Sequence, residues 1–170
     1  MMTTEADWLE YLLTPDMITY GCAIGGLRVA NTILWGTPGK GGQAAGLNEG
    51  HHIAGAISEL AAADYFKVTP TGLYDRRRRD LADYGEVRVT EHRNGHLIIA
   101  HDVAEDRVDH DDAPFVMCWI NGRERRVWFT GWMYGWEAKR IGDPNRQAHR
   151  FWVPFCKLHP MQEPFLWRNP

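Results

Sequence analysis

Only three cysteines occur in the 170 residues, Cys22, Cys118 and Cys156, with no CxxC pair among them. An odd, scattered set excludes a disulfide framework and a zinc knuckle, and implies reduced thiols in a reducing compartment. Long apolar runs are also missing. No window approaches the roughly 20 apolar residues that span a bilayer, and the first residues lack the basic start and apolar run of a signal peptide. The expectation is a cytoplasmic protein with no membrane partner. Excess positive charge is absent too: 19 Lys and Arg against 22 Asp and Glu give a formal net charge of −3. Coating nucleic acid by bulk charge needs many phosphate-neutralising cations, so that mode is excluded, whereas an enzyme touching nucleic acid locally is not.

Two familiar motifs fail on inspection. Residues 36–46 are rich in glycine, but Lys40 is followed by Gly41, so the Gly-Lys-Ser/Thr ending of a phosphate-binding loop is lacking. His51, His52, His96, His101 and His110 include no pair at the i, i+4 spacing of a His-Glu-x-x-His zinc helix. His52 does lie two helical turns before Glu59, which would place it beside that carboxylate.

What is present reads as one domain spanning 1–170, since 44% hydrophobic and 24% charged residues suffice for a core of this size. Helical spacing of apolar residues predicts helices over 6–13 and 17–34, with Pro15 and Asp16 as stop and restart. The glycines of 36–46 predict a loop, because ordering them costs backbone entropy. A third, alanine-rich helix follows over 48–66, where Ile53, Ile57 and Leu60 form an apolar stripe. Glu59 falls off the centre of that stripe, beside Ala56 and Ala63, on a small-residue face suited to close packing on a sheet.

After Pro70 the pattern turns to short β-rich runs over 86–90, 97–100, 115–120, 127–133 and 151–155. Asn94-Gly95 predicts a hairpin joining the first two runs, and Asn121-Gly122 a second tight turn. A short helix is expected over 134–141. The fold class is thus α/β in the broad α+β sense, a central mixed or antiparallel sheet flanked by the N-terminal helices. Residues 1–47 form a helical extension with its Gly-rich loop, 48–160 the core and 161–170 a tail.

Charge is uneven. Arg76, Arg77, Arg78 and Arg79 make a basic block, and 102–112 an acidic one; both read first as solvated loops. Of the eight tryptophans, Trp119, Trp128, Trp132 and Trp136 cluster among the predicted strands, where core packing is expected and exposed rings would stack on bases.

The chemistry-bearing order is a helical Glu59, an acidic Asp80 or Asp83, then Glu86-Val87-Arg88 on a strand. Residues two apart on a strand share a face, so Glu86 and Arg88 project together while Val87 packs behind. This order resembles the signature of the PD-(D/E)XK nuclease superfamily, closest to small phage and prophage members. The pieces are Ala56-Ile57-Ser58-Glu59-Leu60-Ala61, Asp80-Leu81, Glu86-Val87-Arg88-Val89-Thr90, Asn94-Gly95-His96-Leu97-Ile98-Ile99 and Pro114-Phe115-Val116, in order over 48–160.

The resemblance implies a restriction-endonuclease-like core, hydrolysis of phosphodiester bonds of DNA more than RNA, and Mg²⁺ or Mn²⁺ as cofactor. Bacterial or phage-infected host cytoplasm is the implied setting, and a homo-oligomer is compatible with it. Asp80, Glu86 and Glu59 become the metal ligands, with Asp83 as substitute for Asp80; Asp80 is preferred because it precedes the apolar Leu81, and Asp83 suits a turn. Arg88 stands where the family has lysine, so it serves electrostatically and not as a base. Arg76 to Arg79, just ahead of the site, would contact flanking phosphates. The family core also places a helix after the Glu-x-Lys strand, where this sequence reads as further strands. The alternatives are a catalytically silent member of the fold that binds nucleic acid or a partner protein, and a phage structural or assembly protein.

Overall fold

In the computed structural model, residues 3–34, 49–71, 79–81, 85–102, 107–108, 111–145 and 150–161 are described. Among them the protein is mixed α and β, with three α-helices and two four-stranded sheets. Helix α1 (Pro15–Leu34) begins with proline in its first turn, where no backbone donor is needed, and Thr14 Oγ1 accepts the N–H of Met17 as an N-cap. Helix α2 (Glu49–Phe66) ends on Lys67 at φ 56°, with Val68 N–H donating to the Ala63 carbonyl and Lys67 N–H to that of Asp64. That is a Schellman stop built on lysine in place of the usual glycine.

The predicted helix over 6–13 does not form. A single 3₁₀ turn at Glu5–Asp7 leads into strand β1 (Leu9–Leu12), which pairs antiparallel with a later strand. The eight residues 6–13 are too few for a stable helix of their own, and the pairing supplies backbone partners that an isolated turn lacks.

Strands β2 (Glu86–Thr90), β3 (His96–Asp102) and β4 (Arg107–Val108) follow, then β5 (Pro114–Asn121) and β6 (Arg126–Tyr134), helix α3 (Gly135–Ile141), and strands β7 (Asp143–Asn145) and β8 (Arg150–Pro154). The first sheet runs β1-β6-β5-β2 and is mixed, with β2 parallel to β5 and the other pairs antiparallel. The second runs β4-β3-β8-β7 and is antiparallel throughout. A single central sheet was the expectation; the strands divide between two.

The Asn94-Gly95 hairpin is the reason for part of that error. A turn is there, closed by Gly95 N–H on the His92 carbonyl, but β3 pairs with β8 and β2 with β5. The local signal located the turn correctly; long-range pairing decided where the strands went. Asn121-Gly122 behaves as expected and opens the turn between β5 and β6.

Alternation along β5 explains how the layers stack. Val116, Cys118 and Ile120 face one core with Ile57, Ala61, Ala62 and Val87, while Phe115 and Met117 face a second core with Leu97, Ile99, Ala138 and Val153. So α2 covers one face of the first sheet, and the second sheet with α3 covers the other. A bulge in β6 sets Thr130 outside the register, because Met117 pairs with Gly131 and Cys118 with Phe129. The β-carbon of any other residue at 131 would lie 2.7 Å from Leu158 Cβ, and φ there is +150°. On α2, Ala61 and Ala62 are wholly buried in the core shared with the sheet, Ala56 is wholly buried too, and Glu59 is buried on the same helix. Helix α1 lies chiefly on α2, with Gly25 set against Ile53 and Gly21 against Ile57.

The expected loop over 36–46, Arg76, Arg77, Arg78, Asp83, His110 and the tail from 162 lie outside the described residues. No described helix is long and apolar enough to cross a membrane.

Candidate functional site

Glu59 is 5% exposed, which for a carboxylate demands a partner. The partner is Arg28, one helix away: Nη1 donates to Oε1 at 2.9 Å and Nη2 to Oε2 at 2.6 Å. This fork geometry is the strongest ion-pair arrangement available to a carboxylate. Burial still dominates. It drives the Glu59 carboxyl up to about 7, the nearby Asp80 charge adds to the rise, and Arg28 and then Arg88 oppose it. Buried Cys118 feels the same environment and its thiol is pushed well up, by burial first and by Glu59 second.

Asp80 is held by the backbone on both sides. Thr71 N–H donates to the Asp80 carbonyl at 3.0 Å, Thr71 Oγ1 to the Arg79 carbonyl at 2.7 Å, and Leu81 N–H to that of Gly85 at 3.0 Å. Its carboxylate then accepts the N–H of Val87 at 2.9 Å, which fixes it at the start of β2. Leu81 is fully buried and anchors the segment.

Glu86 and Arg88 share a face of β2 as the spacing predicts, and Val87 is buried behind them. Arg88 Nη1 lies 3.2 Å from Glu86 Oε2 and 3.9 Å from Asp80 Oδ2, and its guanidinium sits over the Phe115 ring at 5.0 Å. All three side chains are largely screened from solvent, with 16%, 23% and 15% exposure for Glu86, Arg88 and Asp80. Strand β2 ends the described order of its sheet, so the cluster stands at an edge and not in mid-sheet.

The structure therefore brings Asp80, Glu86 and Arg88 into one cluster; Glu59, hydrogen-bonded to Arg28, lies on the α2 side of the sheet within reach of the Asp80 and Arg88 charges, whereas Glu86 and Arg88 project from the face that carries Phe115. Three carboxylates against two guanidiniums leave one net negative charge when all are ionised. Asp80 and Glu86 offer hard oxygens from two side chains, the number a magnesium-type ion takes when substrate phosphate and water complete its shell. Among the described residues no group of three His, Cys, Asp or Glu stands close enough to hold an ion.

Of the basic block only Arg79 is described, and its Nη2 meets Asp112 Oδ2 at 3.1 Å, so one member of the acidic run holds it. Trp132 is core, as expected of the group; Trp119 and Trp128 are half-buried and stack on each other at 4.3 Å, and Trp136 is 46% exposed beneath Arg140. His51 is exposed, with Nδ1 3.5 Å from Glu91, and His52 is half-buried.

Sequence reasoning passed over Arg28. Its signal was present: it is the lone basic residue in α1, a helix whose only other charge is Asp16. The contact between His159 Nε2 and both Glu137 oxygens, at 3.1 and 3.0 Å, was also missed, and nothing in the spacing of 22 residues foretells it.

No family model, curated protein or solved structure matches this chain.

Proposed function

We propose that the protein hydrolyses phosphodiester bonds of nucleic acid, DNA in preference to RNA, on a restriction-endonuclease-like core with Mg²⁺ or Mn²⁺ as cofactor. The observation that carries the reading is the convergence of Asp80 and Glu86 on one nitrogen of Arg88 at the start of β2. Two carboxylates that meet at one cationic nitrogen are also placed to meet at a divalent ion once the guanidinium turns toward substrate. Such an ion supplies Lewis-acid polarisation of the phosphate and a more acidic water.

The remaining work falls to the chain itself. Asp80, fixed by Val87 N–H, and Glu86 hold the cation site. Arg88 swings from its carboxylate partners to the phosphate and offsets charge developing on the oxygens, with Phe115 supporting its planar group. Glu59 orients water from α2, and Arg28 keeps that side chain in one rotamer.

Satisfied ion pairs also favour a second reading, a silent fold in which Arg28 ties α1 to α2, Arg88 ties β2 to the Asp80 segment, and nucleic acid or a partner protein is only bound. Cleavage of labelled single- and double-stranded DNA and RNA in Mn²⁺, Mg²⁺ or EDTA separates the two. Metal-dependent cutting lost in Asp80→Ala and Glu86→Ala supports the hydrolase. Absence of cutting on every substrate supports the silent fold.

A further inference from the structure

Helix α1 has one face on α2 and a second face that meets none of the described residues. Tyr20, Ala23, Leu27, Ala30 and Leu34 are all exposed, and Tyr20, Leu27 and Leu34 are 64%, 49% and 76% exposed. Their spacing of three, four, three and four residues is the a/d seam of a coiled coil, over a length of about 22 Å. No charge interrupts the seam. Asp16 lies a turn before it, and Arg28 is turned inward to Glu59.

The three glycines of α1 give an independent indication. Any β-carbon at Gly25 would come within 2.6 Å of Ile53 Cα, and one at Gly21 would overlap Ile57, so both are required by the approach of α2. Gly26 is different: a β-carbon there would meet nothing within 4 Å. Glycine inside a helix costs stability relative to alanine, and the isolated chain gains no contact from it. Gly26 flanks the seam on the side where a second helix would come closest.

We propose that α1 pairs with α1 of a second copy, antiparallel about a two-fold axis beside residue 25. In that register Tyr20 of one copy faces Ala30 of the other and Ala23 faces Leu27, so Tyr20 and Leu27 each meet an alanine. Gly26 then stands beside the axis across from Gly26, and Leu34 lies beyond the paired positions, level with Asp16 of the other helix. Because the four paired positions, 20, 23, 27 and 30, are uncharged and set large against small, the occupant they fit is a second copy, through an isologous contact. Two helices joined over this length bury on the order of 1,000 Å², the lower end of specific interfaces, so the dimer is one that concentration controls. This inference is independent of the hydrolase reading.

The test is sedimentation velocity of the full chain from about 1 to 100 µM, a range that brackets a micromolar dissociation constant. Wild type is expected to move from monomer to dimer, and Leu27→Glu to raise the dissociation constant by about tenfold or more, with an unchanged far-UV spectrum. Trp152→Glu, off the seam, is expected to leave the dimer intact. Cross-linking supplies a readout that does not depend on Leu27. In a Cys22→Ser background, mild oxidation should link Gly26→Cys into dimers while Gly50→Cys, equally unhindered on α2, stays monomeric. A wild-type monomer throughout the range, a dimer indifferent to Leu27→Glu, or equal cross-linking at 26 and 50 overturns the proposal.

Discussion

Arg28 donates to both oxygens of Glu59, at 2.9 and 2.6 Å, and so joins the middle of α1 to the middle of α2 through a charge pair sealed at the helix interface. Burial costs both groups solvation, and the fork returns it only while both partners stay. Arg28→Met is expected to destabilise the protein by about 2–4 kcal/mol, because Glu59 is left buried without its donor. Arg28→Met with Glu59→Leu should recover most of that loss. Urea unfolding of the two single variants and the double variant measures the coupling; strict additivity would mean that the pair is not the unit described.

The raised Glu59 carboxyl carries a pH dependence with a definite sign. A carboxyl lifted from 4.5 to about 7 holds its proton more tightly when folded than when unfolded. Its contribution to stability is complete below pH about 4.5 and is lost as pH rises through about 7. The size is roughly 3 kcal/mol at 1.36 kcal/mol per pKa unit. Unfolding midpoints between pH 4 and 8 should therefore fall in wild type relative to Glu59→Gln, which lacks the titration. Parallel curves for the two proteins would show that Glu59 keeps an ordinary carboxylate affinity.

Asp80 has a structural duty separable from any ion. Its carboxylate caps the N–H of Val87, so Asp80→Ala removes a partly buried acceptor and is expected to cost about 1–2 kcal/mol in thermal or urea unfolding. Asp80→Asn retains an acceptor oxygen and should cost less than half of that. Equal losses in the two variants would place the effect in charge and not in the hydrogen bond.

At the β6 bulge, Gly131→Ala combines a forbidden φ with a β-carbon 2.7 Å from Leu158 and 2.8 Å from the His159 carbonyl. The expected loss is on the order of 3 kcal/mol, well above the ordinary alanine-for-glycine effect. A variant as stable as wild type would mean that the bulge relaxes freely.

How much of this was legible in the sequence depends on range. Helix α2, strand β2 and the turn at Asn121-Gly122 were readable because propensity, period and turn chemistry are local. Strand β1 was misread because four apolar-polar positions satisfy a helical and an extended pattern equally, and only Phe129 and its neighbours across the sheet decide between them. The hairpin at Asn94-Gly95 failed for the same reason, since β5 and β8 compete for the strands on either side. Within the candidate site, the shared face of Glu86 and Arg88 followed from period two, whereas Asp80 was preferred to Asp83 on its place before Leu81 and Asp83 lies outside the described residues. Arg28 did not follow, because an arginine on one helix and a glutamate 31 residues later carry no shared spacing.

The central claim is that Asp80 and Glu86 form a divalent-cation site, and calorimetric titration of Mn²⁺ into the full chain tests it most directly. The account predicts one saturable site in wild type, lost in Asp80→Asn and in Glu86→Gln, and retained in Glu124→Gln, whose carboxylate lies elsewhere on the surface. Absence of binding in wild type, or binding that survives both site variants, would contradict it.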